Sequence, residues 1–170
     1  MSPAEWVSET ALTRARLYTT IYNLPCTVRQ EERIAGTAGA FGALTTPAAL
    51  GELIHDQLRR TGTDAPIIKH DRDRWTILTG PHRLAADPVI AAQLNWCSAQ
   101  LAADGAMVWL PSPDDENAGR RRWIARPHDM YRPPIETVLT ALDVVTGFHR
   151  IRDHLAIRAS RPDRDLGQTR

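Results

Sequence analysis

The stretch from Arg74 to Arg132 sets the tightest limit on what this chain can become. It reads as two half-buried strands flanking a helical segment, closed by a proline-bracketed loop and an arginine run. The first block is Arg74-Trp75-Thr76-Ile77-Leu78-Thr79-Gly80-Pro81, and the second is Met107-Val108-Trp109-Leu110-Pro111-Ser112-Pro113. After a polar loop comes Arg120-Arg121-Arg122-Trp123-Ile124-Ala125-Arg126-Pro127. Tryptophan and arginine are thereby concentrated on strands and loop edges, where binding surfaces are usually built.

The flanking segments supply helices. Ser2-Pro3-Ala4-Glu5 has the pattern of a capping box with proline at the first helical position, and predicts a helix from Pro3 to Tyr22. Trp6, Val7, Ala11, Leu17, Tyr18, Ile21 and Tyr22 form its apolar side. Strands are expected at Cys26 to Arg29 and Arg33 to Leu44, the second interrupted by Gly36, Gly39 and Gly42. Thr45-Thr46-Pro47 reads as a helix start, with Leu50, Leu53, Ile54 and Leu58 on one face and Gly62 as the stop.

Further along, Ala65 to Lys69 and Trp75 to Thr79 read as strands around a charged turn at His70 to Asp73. Asp87-Pro88 opens a helix to Asn95, while residues 96 to 101 fit helix or strand equally. Asp104-Gly105 is a turn before a strand from Ala106 to Leu110, and Pro111 to Gly119 reads as a loop. Arg121 to Ala125 is expected to return as a hairpin on that strand. Pro133-Pro134 opens an amphipathic helix through Ile135, Val138, Leu139, Leu142 and Val145, ended by Gly147. One more helix is expected through Phe148, Ile151 and Leu155.

Helices and mostly antiparallel strands thus interleave without regular βαβ spacing. The expectation is a single α+β domain over residues 1–159, a mixed, mostly antiparallel sheet with helices packed on it, and a flexible tail over 160–170. A chain of 170 residues with 42% hydrophobic content can bury a core without disulfide or metal support. Cys26 and Cys97 form no CxxC, the start has no signal-peptide pattern, and no run approaches ~20 apolar residues. A cytoplasmic protein with reduced thiols and no membrane partner is the expectation.

Formal net charge is +1, which argues against a globally basic nucleic-acid binder but leaves room for a local patch. Lys69 is the only lysine, so the basic character is arginine, whose planar fork grips carboxylate or phosphate bidentately.

No catalytic constellation is complete. His70, Asp71 and Asp73 are the nearest to a metal site, since two carboxylates on one strand face could share a divalent ion. The competing reading is a solvated turn with the aspartates countered by Arg72 and Arg74. Asp114-Asp115-Glu116-Asn117 lacks the ligand spacing of a calcium loop, and no histidine pair has helical zinc spacing. Ser112 lacks a nucleophile elbow, Cys97 lacks an activating signature, and the spaced glycines match no phosphate loop. No cofactor is expected.

The surface candidate is the cluster Arg120, Arg121, Arg122, Trp123, Arg126, Tyr131 and Arg132. Aromatics among arginines can anchor a partner protein or stack bases while guanidinium groups hold phosphate or carboxylate. The competing reading turns Trp123 into the core and neutralises the arginines with Asp114 to Glu116.

The Trp75 and Leu110 blocks resemble those of short actinobacterial proteins of unknown function, which pair an "RWTFLTGP"-like strand with an "LPSP…RRW…P…RPP" segment. The matching residues are Arg74 to Pro81, Leu110 to Pro113, Arg121 to Trp123, Pro127 and Arg132 to Pro134, with Thr46 to Gly51 upstream. Some members carry the label RNA polymerase beta subunit, a role too large for a domain of this size. The ordering, over residues 33 to 145, is also similar to a worn bifunctional primase-polymerase amino-terminal domain. That resemblance implies a nucleic-acid context. Its paired acidic metal ligands and catalytic histidine have no counterpart here, Asp71 and Asp73 being the nearest and lying in a turn.

The leading expectation is therefore a non-catalytic regulatory or interaction module that binds a protein partner through the arginine and aromatic surface, in the setting of DNA transactions. One alternative is direct nucleic-acid binding by the same patch. Another is a nucleotide-binding or metal-dependent enzyme of primase-polymerase ancestry using His70, Asp71 and Asp73. A homo-oligomer is compatible with each.

Overall fold

In the computed structural model, residues 9–82 and 87–148 are described. Among the described residues the first helix is α1 (Ala11–Thr20), and the helix expected over Pro3 to Tyr22 is not continuous through Thr10. Thr10 is extended, its hydroxyl accepts from the Thr13 amide at 3.2 Å, and the Thr13 hydroxyl accepts from the Thr10 amide at 3.0 Å. This reciprocal cap satisfies two helix-end donors and fixes the start at Ala11. Ala11, Arg14, Ala15 and Tyr18 face inward, whereas Leu17 and Ile21, expected on the apolar side, are exposed. The Ser2 to Glu5 motif, Trp6 and Val7 lie outside the described residues.

The single strand expected over Arg33 to Leu44 is two strands belonging to two sheets. Strand β1 (Cys26–Val28) leads through a short 3-10 turn, Gln30–Glu32, into β2 (Ile34–Thr37). The chain then leaves that sheet at Gly39, with φ of 113°, and enters the other as β3 (Gly42–Pro47). Only glycine adopts such a backbone without strain. Gly36 has a different reason, since a Cβ there would lie 2.6 Å from the Phe41 ring. The glycines mark a crossing between layers.

Helix α2 (Ala48–Arg60) begins after Pro47, so Thr45 and Thr46 finish β3 rather than cap the helix. Ile54 and Leu58 are buried as expected, but Leu53 faces solvent. Strands β4 (Ile67–His70) and β5 (Arg74–Thr79) lie on either side of the charged turn as expected and pair with each other, with His70 in the strand rather than the turn. Asp87 caps α3 (Pro88–Trp96), accepting from the Val89 and Ile90 amides. Cys97 and Ser98 then turn the chain into a short β6 (Gln100–Leu101).

Strand β7 (Met107–Leu110) follows the Gly105 turn, where φ is 80°. The acidic segment expected as a loop contains a helix, α4 (Pro113–Asn117), capped by Ser112 and started by proline. It carries the chain from one sheet to the other. Strand β8 (Arg121–Ala125) accordingly pairs with β4, not with β7 as expected for a hairpin. Helix α5 (Ile135–Thr146) ends at Gly147 in the left-handed conformation, as read from the sequence. The further helix through Ile151 and Leu155, and the tail over 160–170, lie outside the described residues.

Among the described residues, two antiparallel sheets result, ordered β1-β2-β7 and β6-β3-β5-β4-β8. Because strand side chains alternate, the larger sheet has two inner faces. Leu44, Ile67 and Ile77 meet Ile54, Leu58, Val138 and Leu142 from α2 and α5. Ala43, Ile68 and Leu78 meet Tyr18 from α1, Ile34, Val108 and Leu110 from the smaller sheet, and Phe41 from the crossing before β3. The fold is α+β, one compact domain with the larger sheet as its middle layer. Among the described residues, no helix is long and apolar enough to cross a membrane.

Candidate ligand cleft

The layer between the two sheets is packed at one end and open at the other, and the strand registers explain why. On β5 the inward positions run Leu78, Thr76, Arg74; on β3, Ala43 then Thr45; on β4, Ile68 then His70; on β8, Trp123 then Arg121. The register sets Leu78 beside Ala43, Thr76 beside both Thr45 and Ile68, and Arg74 and Arg121 beside His70. Each strand therefore changes from apolar to polar as it leaves the core. The result is a cleft of about 650 Å³.

The opposite wall is built from small side chains, Ala102, Ala103 and Ala106, together with Met107, Val108 and Trp109. The alanines leave the space that the facing strands do not fill. Around the cleft stand Arg33, Arg72, Arg74, Arg120 and Arg121, with Asp71 the one carboxylate among the described residues that line it. Such a wall concentrates positive potential on a chain of near-zero net charge.

Hydrogen bonds fix most of these groups. His70 Nε2 and the Thr76 hydroxyl are 2.8 Å apart, and the Thr76 and Thr45 hydroxyls are 2.9 Å apart. Burial, then the Arg121 charge, push the His70 imidazole down to about 4, against the opposing pull of Asp71 and Asp115. His70 is thus neutral at neutral pH. Arg74 donates to the Ser98 carbonyl at 2.9 Å and the Thr45 carbonyl at 3.5 Å.

Trp109 stands at the edge of the cleft with two guanidinium groups against its ring. The Arg121 and Arg33 carbons lie 5.3 and 5.6 Å from the ring centroid, within reach of a cation–π attraction. Each of these arginines also has a buried Nε with no hydrogen-bond partner among the described residues. Arg121 and Arg120 are held from behind by Asp115, a wholly buried carboxylate on α4 that accepts at 2.8 and 2.9 Å. Burial works to raise the Asp115 carboxyl, but hydrogen bonding by Arg120 and the Arg121 charge outweigh it and hold it below its ordinary value.

The residues singled out in the sequence do not share one surface. Arg120 and Arg121 belong to the cleft. Trp123 turns inward, its indole donating to the Tyr18 hydroxyl at 2.8 Å, which donates to the Pro111 carbonyl at 2.7 Å. Arg132 is buried and donates to the Tyr22 and Asn23 carbonyls just beyond α1. Arg126 reaches Glu116, which is also held by Arg14. Arg122 and Tyr131 face solvent.

His70 is committed to Thr76, while Asp71 and Asp73 occupy the exposed turn, with Asp73 at φ of 53°. Among the described residues, no three acidic, histidine or cysteine groups converge as a metal site. Sequence reasoning missed Arg33, Thr45, Arg74, Thr76, Trp109 and Asp115 as members of one site. The alternation Arg74, Thr76, Leu78 is visible locally, but its partners come from strands that only the fold brings alongside.

Comparison with protein-family models, curated proteins and solved structures gives no match.

Proposed function

We propose that the protein is a binding module for a nucleotide-class ligand, one bearing phosphate and a planar base, held in the cleft between the two sheets. The observation that carries this reading is the pairing of Trp109 with an arginine-lined cleft. A base would stack on the indole in place of one of the two guanidinium groups that lie against it, freeing that fork for phosphate oxygens. The volume falls within the roughly 300–1,000 Å³ of small-molecule sites. The resemblance to primase-polymerase domains points to the same chemical context.

The reading is of binding rather than nucleotidyl transfer, because the donors here are guanidinium, imidazole and hydroxyl. Among the described residues of the lining, Asp71 has no partner carboxylate with which to share a divalent ion. Calorimetric titration with nucleoside monophosphates and triphosphates tests the proposal. Binding weakened by Arg72→Ala, an exposed turn residue, and by Trp109→Ala is expected. No measurable binding, or binding indifferent to both changes, refutes it.

A protein partner is the second reading, favoured by one observation. Met130 and Tyr131 are adjacent and more than half exposed beside the Arg126 segment, and exposed aromatic and methionine side chains are common anchors. Alanine at both positions would then abolish partner capture and leave nucleotide binding intact.

A further inference from the structure

The cleft does not end at Trp109. A second depression of about 360 Å³ opens beyond it, lined by Arg29, Gln30, Glu31, Arg33, Met107 and Trp109. Three of those residues, Arg33, Met107 and Trp109, line both spaces. The second depression is shaped by the Gln30–Glu32 turn, where Glu31 and Glu32 have φ of 57° and 52° and bring the chain from β1 back into β2. Arg29 and Arg33 flank that turn, joined by a backbone hydrogen bond of 2.7 Å from the Arg29 amide to the Arg33 carbonyl.

A single nucleotide stacked on Trp109 needs one side of this ring only. Here arginine continues on both sides, with Arg74, Arg120 and Arg121 in the first space, Arg33 shared, and Arg29 in the second. Repeated cation with an interposed aromatic is the pattern that fits a phosphate chain carrying bases. A duplex keeps its bases stacked on each other and would offer Trp109 no base face, whereas a single strand can splay one out.

Resting on the proposed nucleotide-class reading of the cleft, we infer that the ligand is a single-stranded nucleic acid, whose chain crosses Trp109 from the cleft into the depression beside Arg29. The mononucleotide-sized cleft holds one unit, Trp109 stacks a base at the crossing, and Arg29 holds the continuing backbone together with Arg33, whose 3.2 Å pair with Glu31 a phosphate would replace.

The test is a length series on the full chain, with thymidine monophosphate and deoxythymidine oligonucleotides of two, three and six units, a parallel uridine series, and a duplex of matched length. The expected result is an affinity gain of about tenfold between one and three units, as one added charge-assisted phosphate contact at Arg29 gives. The logarithmic salt dependence should steepen by about 0.7 for each phosphate engaged. Arg29→Ala should remove the gain while leaving monophosphate binding unchanged. The two series distinguish DNA from RNA as the source of the strand. Monophosphate binding with no gain on lengthening overturns this inference and leaves the nucleotide reading standing. Duplex binding as tight as single-strand binding also overturns it, and absence of binding throughout removes both.

Discussion

Asp115 accepts from Arg121 at 2.8 Å from a position wholly shielded from solvent, while Arg121 itself lies against Trp109. The carboxylate is behind the cleft wall, where no ligand can compete for it. Its role is to hold two guanidinium groups in one orientation before anything binds, which reduces the ordering cost of association. The same carboxylate makes the site and the fold interdependent.

Removing it should therefore be costly. Asp115→Ala leaves the partly exposed Arg120 and the largely buried Arg121 without their shared acceptor, and loss of the buried charge-assisted bond from Arg121 costs about 2 kcal/mol. Urea unfolding should show a lower midpoint with an unchanged slope, and ligand affinity should fall as well. Asp115→Asn, which keeps an acceptor oxygen, should lose less.

A second expectation concerns pH. The unfolded chain takes up a proton at His70 near the ordinary value of 6.5, the folded chain only near 4. Between those values the unfolded state binds more protons, so stability is full above pH 6.5 and falls as pH drops toward 4. The fixed charges around the ring are Arg121, Asp71, Asp115 and Arg74. His70→Gln should flatten this limb in a plot of urea midpoint against pH, leaving a separate loss below about 4 as Asp115 and other carboxylates protonate.

The Tyr18 hydroxyl joins the Trp123 indole to the Pro111 carbonyl, and the two rings meet edge to face at 5.8 Å. Tyr18→Phe keeps the ring and deletes the bridge, leaving a buried donor and acceptor without partners. The cost should be about 2 kcal/mol by chemical denaturation. Burial also raises the Tyr18 phenol above its ordinary range. Ultraviolet titration should accordingly show a late tyrosine phase, and Tyr18→Phe should remove it.

Gly36→Ala is expected to destabilise by about 1–3 kcal/mol, because the new methyl would meet the Phe41 ring within the closed core. Gly105→Ala provides the contrast, since nothing stands near its Cβ and only the left-handed backbone resists the change. Thermal midpoints of the two variants separate steric overlap from backbone strain.

What could be read from the sequence was whatever depended on near neighbours. Strands β4 and β5 around the charged turn, the Asp87 cap on α3, the Gly147 stop on α5 and the α+β class are all written in local pattern. The failures have non-local causes. Gly36, Gly39 and Gly42 look like a weakened strand until Phe41 and the second sheet are present. The run Asp114-Asp115-Glu116-Asn117 looks solvated until Ser112 and Pro113 start a turn of helix that points Asp115 inward. Arg121 to Ala125 follows β7 in the chain, yet its alternation suits β4 as well, and the span of α4 decides between them. The cleft depends on four registers at once, and no single segment reveals it.

Helix α4 has one further consequence. Two grips from α1, Arg14 on Glu116 and Tyr18 on Pro111, pin the bridge that joins the smaller layer to the larger. The aperture between Trp109 and Arg74 is accordingly gauged from the rear of the molecule, by parts that never meet a guest. Lengthening the span between Pro111 and Arg120 by a residue or two would retune what the mouth admits without altering one side chain that lines it.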